Sequence, residues 1–301
     1  MHYTNTKKYL GSLVRRGSLM PYASYLYAAT ALILVIEIIA GRHRGIYDRS
    51  TWFVTLGCLV GAAISRPLSA ALIATVTALL LPAYQGGLSG IALLPAFLGV
   101  FTLTEFAFYW AHRWSHESKG KRHEWFWKLH RTHHSGKFMN VGVTIRVNSF
   151  WAFVVPTPWV LGIATYLGLG QAAGLTILVI YGWNLITHAH FRWDDPIRRH
   201  RIFGKPFRAL EHLLVSPGMH HSHHGYGKDG GNFRNYAVTL SALDWMFGTL
   251  HIPEGRPWKY GVPGPNAHWA EEAFYPIVGR GTRTDAPKFR KNSTSENRTT
   301  M

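Results

Sequence analysis

Four long apolar blocks, separated by basic or histidine-rich stretches, limit what this chain can become. They cover residues 21–41, 51–84, 88–110 and 149–188. About 20 consecutive apolar residues suffice to cross the hydrocarbon core of a bilayer as a helix. The first block holds one carboxylate, Glu37, and the second one charge, Arg66, with Pro67 directly after it. An Arg-Pro pair reads as a break, so residues 51–84 are expected to form a helical hairpin with two short arms. Pro156, Pro158 and the turn at residues 168–171 make residues 149–188 a second hairpin.

The blocks also decide what the charge means. The chain carries 32 Lys and Arg against 15 Asp and Glu, a formal +17. Such an excess suits either nucleic acid or the basic face of a membrane protein. A soluble nucleic-acid binder has no use for four such segments, so no nucleic-acid partner is expected. With both hairpins in place, residues 1–20, Arg66, residues 111–148 and everything after His188 fall on one side. That side holds most of the basic charge, as cytoplasmic loops do. The loop at residues 42–49, with three arginines, is the exception.

No long polar linker divides the chain. Residues 1–20 read as a basic juxtamembrane arm, 21–278 as one membrane domain, and 279–301 as a polar, disordered tail. The expected fold is all-α: an integral-membrane helical bundle with a histidine-rich helical cap. The single cysteine, Cys58, excludes an internal disulfide framework, a thiolate zinc site and a cysteine-held iron–sulfur cluster. No haem-attachment motif or glycine-rich dinucleotide fingerprint occurs either.

The histidines carry the chemistry. Residues three and four apart share a helix face. His112 and His116 form such a pair just beyond the third block, and Asn184 and His188 another at the end of the fourth. His130, His133 and His134 give a three-nitrogen claw, and His220, His223 and His224 a second claw of the same shape. Neutral imidazole is the commonest protein metal ligand. Nine such positions exceed one tetrahedral zinc and fit two ions with four or five ligands each. The HExxH string of a zinc protease is missing, and the spaced, tryptophan-interleaved pattern is unlike a low-complexity storage tract.

In the order FAFYWAHRWSH, WKLHRTHHS, the N-x-x-x-H of Asn184 to His188, SPGMHHSHHG and NYAVTLSALDWMFGT, these strings resemble the fatty acid hydroxylase superfamily. That integral-membrane group includes sterol desaturases, sterol methyl oxidases and alkylglycerol monooxygenase. The resemblance implies two iron ions on the cytosolic face of a transmembrane bundle. His112, His116, His130, His133, His134, His188, His220, His223 and His224 would be the ligands, with Asn184 beside the metals. Glu105, on the face of His112, together with His190 and His212, would stand next to the ligands. Met219 occupies a place where relatives often carry histidine, and His221 is extra.

The implied activity is hydroxylation of a lipid C–H bond by O₂, the lipid being fatty acyl, sterol or similar. Desaturation on the same site is the alternative within enzymes, and a zinc-stabilised, non-catalytic membrane protein the alternative outside them. Lacking a redox cofactor motif of its own, the chain needs a separate electron donor, a ferredoxin or small cytochrome with its reductase. The location implied is the inner membrane in a bacterium or the endoplasmic reticulum in a eukaryote, with the site facing the cytoplasm.

Overall fold

The computed structural model describes residues 20–231 and 234–279. The expected basic arm, except Met20, and the expected polar tail, except Gly279, lie outside these described residues. Five helices carry the apolar blocks: α1 (Met20–Ile39), α2 (Arg49–Leu80), α3 (Leu93–Glu117), α6 (Pro156–Tyr166) and α7 (Gly170–His188). Between α3 and α6 lie α4 (Glu124–His134), a 3-10 turn (Val141–Ile145) and the short α5 (Trp151–Val154). After α7 come α8 (Asp194–Arg199), α9 (Gly204–Leu210), α10 (Pro217–His224), α11 (Ala242–Met246) and α12 (Trp269–Phe274). One antiparallel ladder, Gly225–Tyr226 against Lys259–Tyr260, is the β-structure among the described residues.

The apolar helices are long because their sequences contain little else. Among the described residues, α2 and α3 are the two helices long and apolar enough to cross a membrane. Large apolar side chains stand exposed along α2, including Trp52, Leu56, Leu59, Ile64, Leu68 and Leu72. An exposed apolar face of that length, interrupted by Arg66 alone, marks a surface that meets something other than water. Inside, α3, α6 and α7 cross on small residues. Ala96 and Val100 pack on Leu161 and Ala164 and on Ala172 and Ala173.

The expected hairpin at residues 51–84 does not form. α2 runs through Pro67 as one helix of 32 residues, about 48 Å long at 1.5 Å per residue. Packing on both sides of the proline overrides the local break. Below it, Val54 and Cys58 bury against Ala273 of α12, and a Cβ on Gly61 would sit 1.7 Å from Ser149 Oγ. Above it, Ser69 Oγ donates to Ala152 O at 2.8 Å, and a Cβ on Gly162 of α6 would lie 2.6 Å from Ile73 Cγ2. A proline costs its own N–H bond and strains the preceding turn, and contacts along the whole helix outweigh that here. The second hairpin does form, as α6 and α7, with its turn hydrogen-bonded to the segment after α2: Leu88 N donates to Leu167 O at 2.8 Å.

One continuous α2 changes the placement of the loops. The loop at 42–49 sits at the histidine end: Tyr47 packs on Phe138 at 5.3 Å, and Glu37 accepts from Val141 N at 3.1 Å and His190 N at 2.6 Å. Its three arginines therefore join the other basic segments instead of opposing them. Arg66, expected at that end, is exposed midway along α2. α1 packs along α7 with their C-terminal ends level, so the N-terminal end of α1 points away from the histidines.

Candidate metal centre

The nine histidines, far apart in sequence, converge where α3, α4, α7 and α10 end. They form two groups. His112, His116, His130, His134 and His223 make one, and His133, His188, His220 and His224 the other. Within each group the candidate ligand atoms all lie within 4.8 Å of one another. The groups adjoin, because the rings of His134 and His224 stack at 4.3 Å.

Neither claw serves one group. On α4, the i, i+4 pair His130 and His134 faces the five-histidine group, while His133 turns to the other. On α10 the pattern inverts: His220 and His224 face the four-histidine group and His223 crosses over. α3 adds the pair His112 and His116 to the first group, and α7 adds His188 alone to the second. Spacing alone could give the claws but not this division, which depends on how α4 and α10 face each other.

Backbone carbonyls orient the rings. Nδ1–H of His112 donates to Tyr236 O at 2.6 Å, that of His223 to Arg234 O at 2.8 Å, and that of His188 to Asn184 O at 2.7 Å. A carbonyl can only accept, so in each ring the hydrogen is on Nδ1 and Nε2 keeps its lone pair for a metal. The Nε2 atoms of His112, His223 and His224 are buried without a hydrogen-bond partner. Nε2 of His188 lies 3.1 Å from that of His133 and 3.0 Å from that of His220. Crowded, desolvated lone pairs are costly unless something positive sits among them. Burial, reinforced by neighbouring imidazoles, holds His130, His134, His220 and His224 well below the usual histidine range. The same causes bring His133, the least enclosed of the nine, down to about 3. Neutral nitrogen donors in sets of five and four, with no thiolate, fit iron held by imidazole; a structural zinc would be complete with four ligands.

The residues that hold this arrangement are mostly ones the sequence did not flag. The strip at 234–240, which supplies two of the carbonyls, is clamped from both sides. Asp244 accepts from Tyr236 N at 2.7 Å, Ala237 N at 3.0 Å and Thr249 Oγ1 at 2.7 Å. Burial pushes its carboxyl up to about 6 despite those bonds. Glu105 accepts from Thr239 N at 3.0 Å and Leu240 N at 2.9 Å. It thus grips the backbone strip and bonds to no histidine ring. At the start of α10, Asp194 accepts from Gly218 N at 2.8 Å, and Ser216 caps the helix while receiving Arg198 Nη2 at 2.8 Å. Arg198 is itself clasped by Glu211. Truncating one member of such a buried charge set typically costs about 3–5 kcal/mol. The clue for Asp244 was its place inside the last matching string; a backbone carbonyl leaves no letter in a sequence.

The other flagged residues fall outside both groups. His212 Nδ1–H donates to Arg208 O of α9 at 2.9 Å, and its ring packs on Trp245 at 5.3 Å. His190 is anchored through its backbone to Glu37. The extra His221 is buried as a strut, Nε2–H donating to Ala189 O at 3.0 Å and Nδ1 3.2 Å from the Tyr260 hydroxyl. Met219 is fully buried against Tyr109, Val215 and Tyr236. Asn184 occupies the i−4 position from His188, where α3 has His112 four residues before His116.

A model of the fatty acid hydroxylase family matches residues 97–249, from within α3 to the loop after α11, and takes in all nine histidines. The chain belongs to this family. Among curated relatives, methylsterol monooxygenase 1-3 of Arabidopsis thaliana is 26% identical over 151 residues, which is 50% of this hydroxylase-family chain and 45% of the plant protein. The chain therefore spans less than half the length of that relative. No solved structure matches it.

Proposed function

We propose that this family member is an integral-membrane lipid hydroxylase with a di-iron centre. The observation that carries the reading is the pair of adjoining histidine groups, nine imidazoles in all, at the ends of apolar helices. The nine histidines would hold two irons, five nitrogens on one and four on the other, with Asn184 next to the less crowded ion. Two irons so bound supply O₂ binding and C–H oxidation.

The chain's own residues do the rest. Carbonyls of Arg234, Tyr236 and Asn184 keep three imidazoles in the tautomer that offers Nε2 to the centre. Glu105 and Asp244 fix the strip that carries two of these carbonyls. The apolar rings of Phe108 and Trp151, 5.2 Å from His112 and 4.9 Å from His130, keep water from the histidine surface. The exposed apolar faces of α2 and α3 support a site at a bilayer; in this reading α1, α2, α3 and the α6–α7 hairpin enter it and the basic histidine end faces the cytoplasm. A substrate reaching such a site from the side is a lipid. Hydroxylation consumes O₂, two electrons and two protons, puts one oxygen atom into the lipid and releases the other as water. The electrons come from a separate protein, a ferredoxin or small cytochrome. The methylsterol monooxygenase relative makes a sterol methyl group the first substrate to try.

The test is metal analysis of the purified chain, joined to lipid mass spectrometry of cells with and without it. Two irons per chain and a lipid heavier by one oxygen are expected. A lipid lighter by two hydrogens reassigns the centre to desaturation. Zinc in place of iron, with no O₂ consumed in the presence of a reductant, overturns the reading.

A further inference from the structure

A cavity of about 350 Å³ opens under the N-terminus of α2, between Asp48, Thr51 and the segment after α4. On its wall is Arg146, 2% exposed. Its Nη2 donates to Ser135 Oγ at 2.7 Å and Nη1 reaches Thr51 O only at 3.4 Å. Nε has no hydrogen-bond partner among the described residues. The other enclosed arginines each face a carboxylate: Arg131 faces Glu271 and Glu272, Arg192 faces Asp195, and Arg198 faces Asp194 and Glu211. Arg146 has none within ion-pair distance among the described residues, although two acids, Asp48 and Glu272, line the same cavity. Asp48 caps α2 by accepting from Thr51 N at 2.7 Å, and Glu272 lies 3.4 Å from Arg131 Nε.

A buried guanidinium without a counter-charge is costly. The N-terminal end of a 32-residue helix beside it, capped at Thr51 N by Asp48, adds positive potential. Lys137 supplies a second, exposed cation on the cavity wall. Guanidinium, ammonium, hydroxyls and a helix N-terminus together are the usual partners of a phosphate group. We propose that this cavity binds the phosphate of a membrane-lipid headgroup, with Arg146 as its principal contact. The location argues for a lipid rather than a free ion. Trp52 and Phe53, one turn into α2, are 60% and 41% exposed, and Trp52 packs on Tyr47 at 5.1 Å. Exposed aromatics at that level sit where headgroups meet the apolar core. Asp48 and Glu272 on the same wall suit a headgroup that also carries an amine, such as phosphoethanolamine.

The site does not depend on the metal reading, and its test needs no activity. The full chain in a non-ionic detergent is titrated with short-chain phosphatidylethanolamine or inorganic phosphate, following its melting temperature, and co-purified lipid is read by native mass spectrometry. The lipid is expected to raise the melting temperature and to be retained. Arg146→Gln and Lys137→Gln should weaken its half-saturation by about tenfold or more and Arg146→Lys by less. Lys137→Gln, at an exposed position, keeps the test valid if Arg146→Gln does not fold. An equal shift with inorganic phosphate at the same concentration overturns the lipid source. No difference between wild type, Lys137→Gln and a folded Arg146 variant overturns the site.

Discussion

The two histidine groups are built to one plan and differ at a single place. α4 and α10 each give an i, i+4 pair to one group and a lone histidine to the other, in opposite senses. α3 and α7 each lend their C-terminal end, and there the symmetry fails. α3 brings His112 and His116, whereas α7 brings His188 and, one turn earlier, Asn184. Five imidazoles crowd one group and four the other. An amide binds metal far more weakly than an imidazole, so under the proposed two-ion reading the second group would hold the position from which a small molecule is displaced most readily. On this reading the inequality is functional: one ion is closed in and its neighbour is left open.

That contrast can be broken most severely from the histidines themselves. His223→Ala and His133→Ala each remove one proposed ligand, from the five- and the four-histidine group respectively. Both are expected to cost more than the 10–100-fold that changes one shell further out typically cause. His133→Ala, which leaves three imidazoles, should lose its ion first. Metal stoichiometry and turnover on the same preparation check this, and full iron content with full activity in both variants would sink the metal reading.

Acid should break both groups together. A histidine whose folded pKa lies below its unfolded value takes up its proton only on unfolding in the interval between. Stability therefore falls as pH drops through that interval. For His133 it runs from 6.5 down to about 3, and the neighbours shift in the same direction. Metal-free protein should lose melting temperature progressively below about pH 6.5. Metal-loaded protein should hold out to lower pH and then release its ions with proton uptake. A flat melting profile from pH 7 to 4 would contradict this.

Smaller effects should separate the supports of the two groups. Asp244→Asn loosens the strip that orients His112 and His223, both in the five-histidine group. It is expected to weaken that ion by about 10–100-fold while the other is retained. Competition with a chelator, followed metal by metal, reads this out, and equal loss of both ions would contradict it. Asn184→His should move the other way, slowing metal loss from the four-histidine group by roughly tenfold and lowering turnover. Smallest of all, His212→Ala should leave metal content unchanged, because its ring faces Trp245 and not the centre.

How much of this could be read in advance follows from what each feature rests on. The histidine positions were legible because helical spacing is local. The hairpin of α6 and α7 was legible because Gly168 and the flanking apolar runs announce a turn. Pro67 misled because its local preference is outweighed by contacts from Ala273, Gly162 and Ala152, whose meeting with α2 no local rule contains. The division of each claw between two groups was hidden for the same reason. The carbonyls of Arg234, Tyr236 and Asn184 were hidden for another, since every residue has one.

The sharing of α4 between both groups has a bearing on how such a chain can vary. Inserting or deleting one residue within 130–134 would turn the following ring by about 100° and hand it to the wrong neighbour or to none. Both ends of this short helix are thus locked in register, and so is His220 to His224 in α10. The connection at 118–123 carries none of the nine and can lengthen without touching them. Length variation among natural relatives should therefore pile up in that connection and stop abruptly at the two histidine runs.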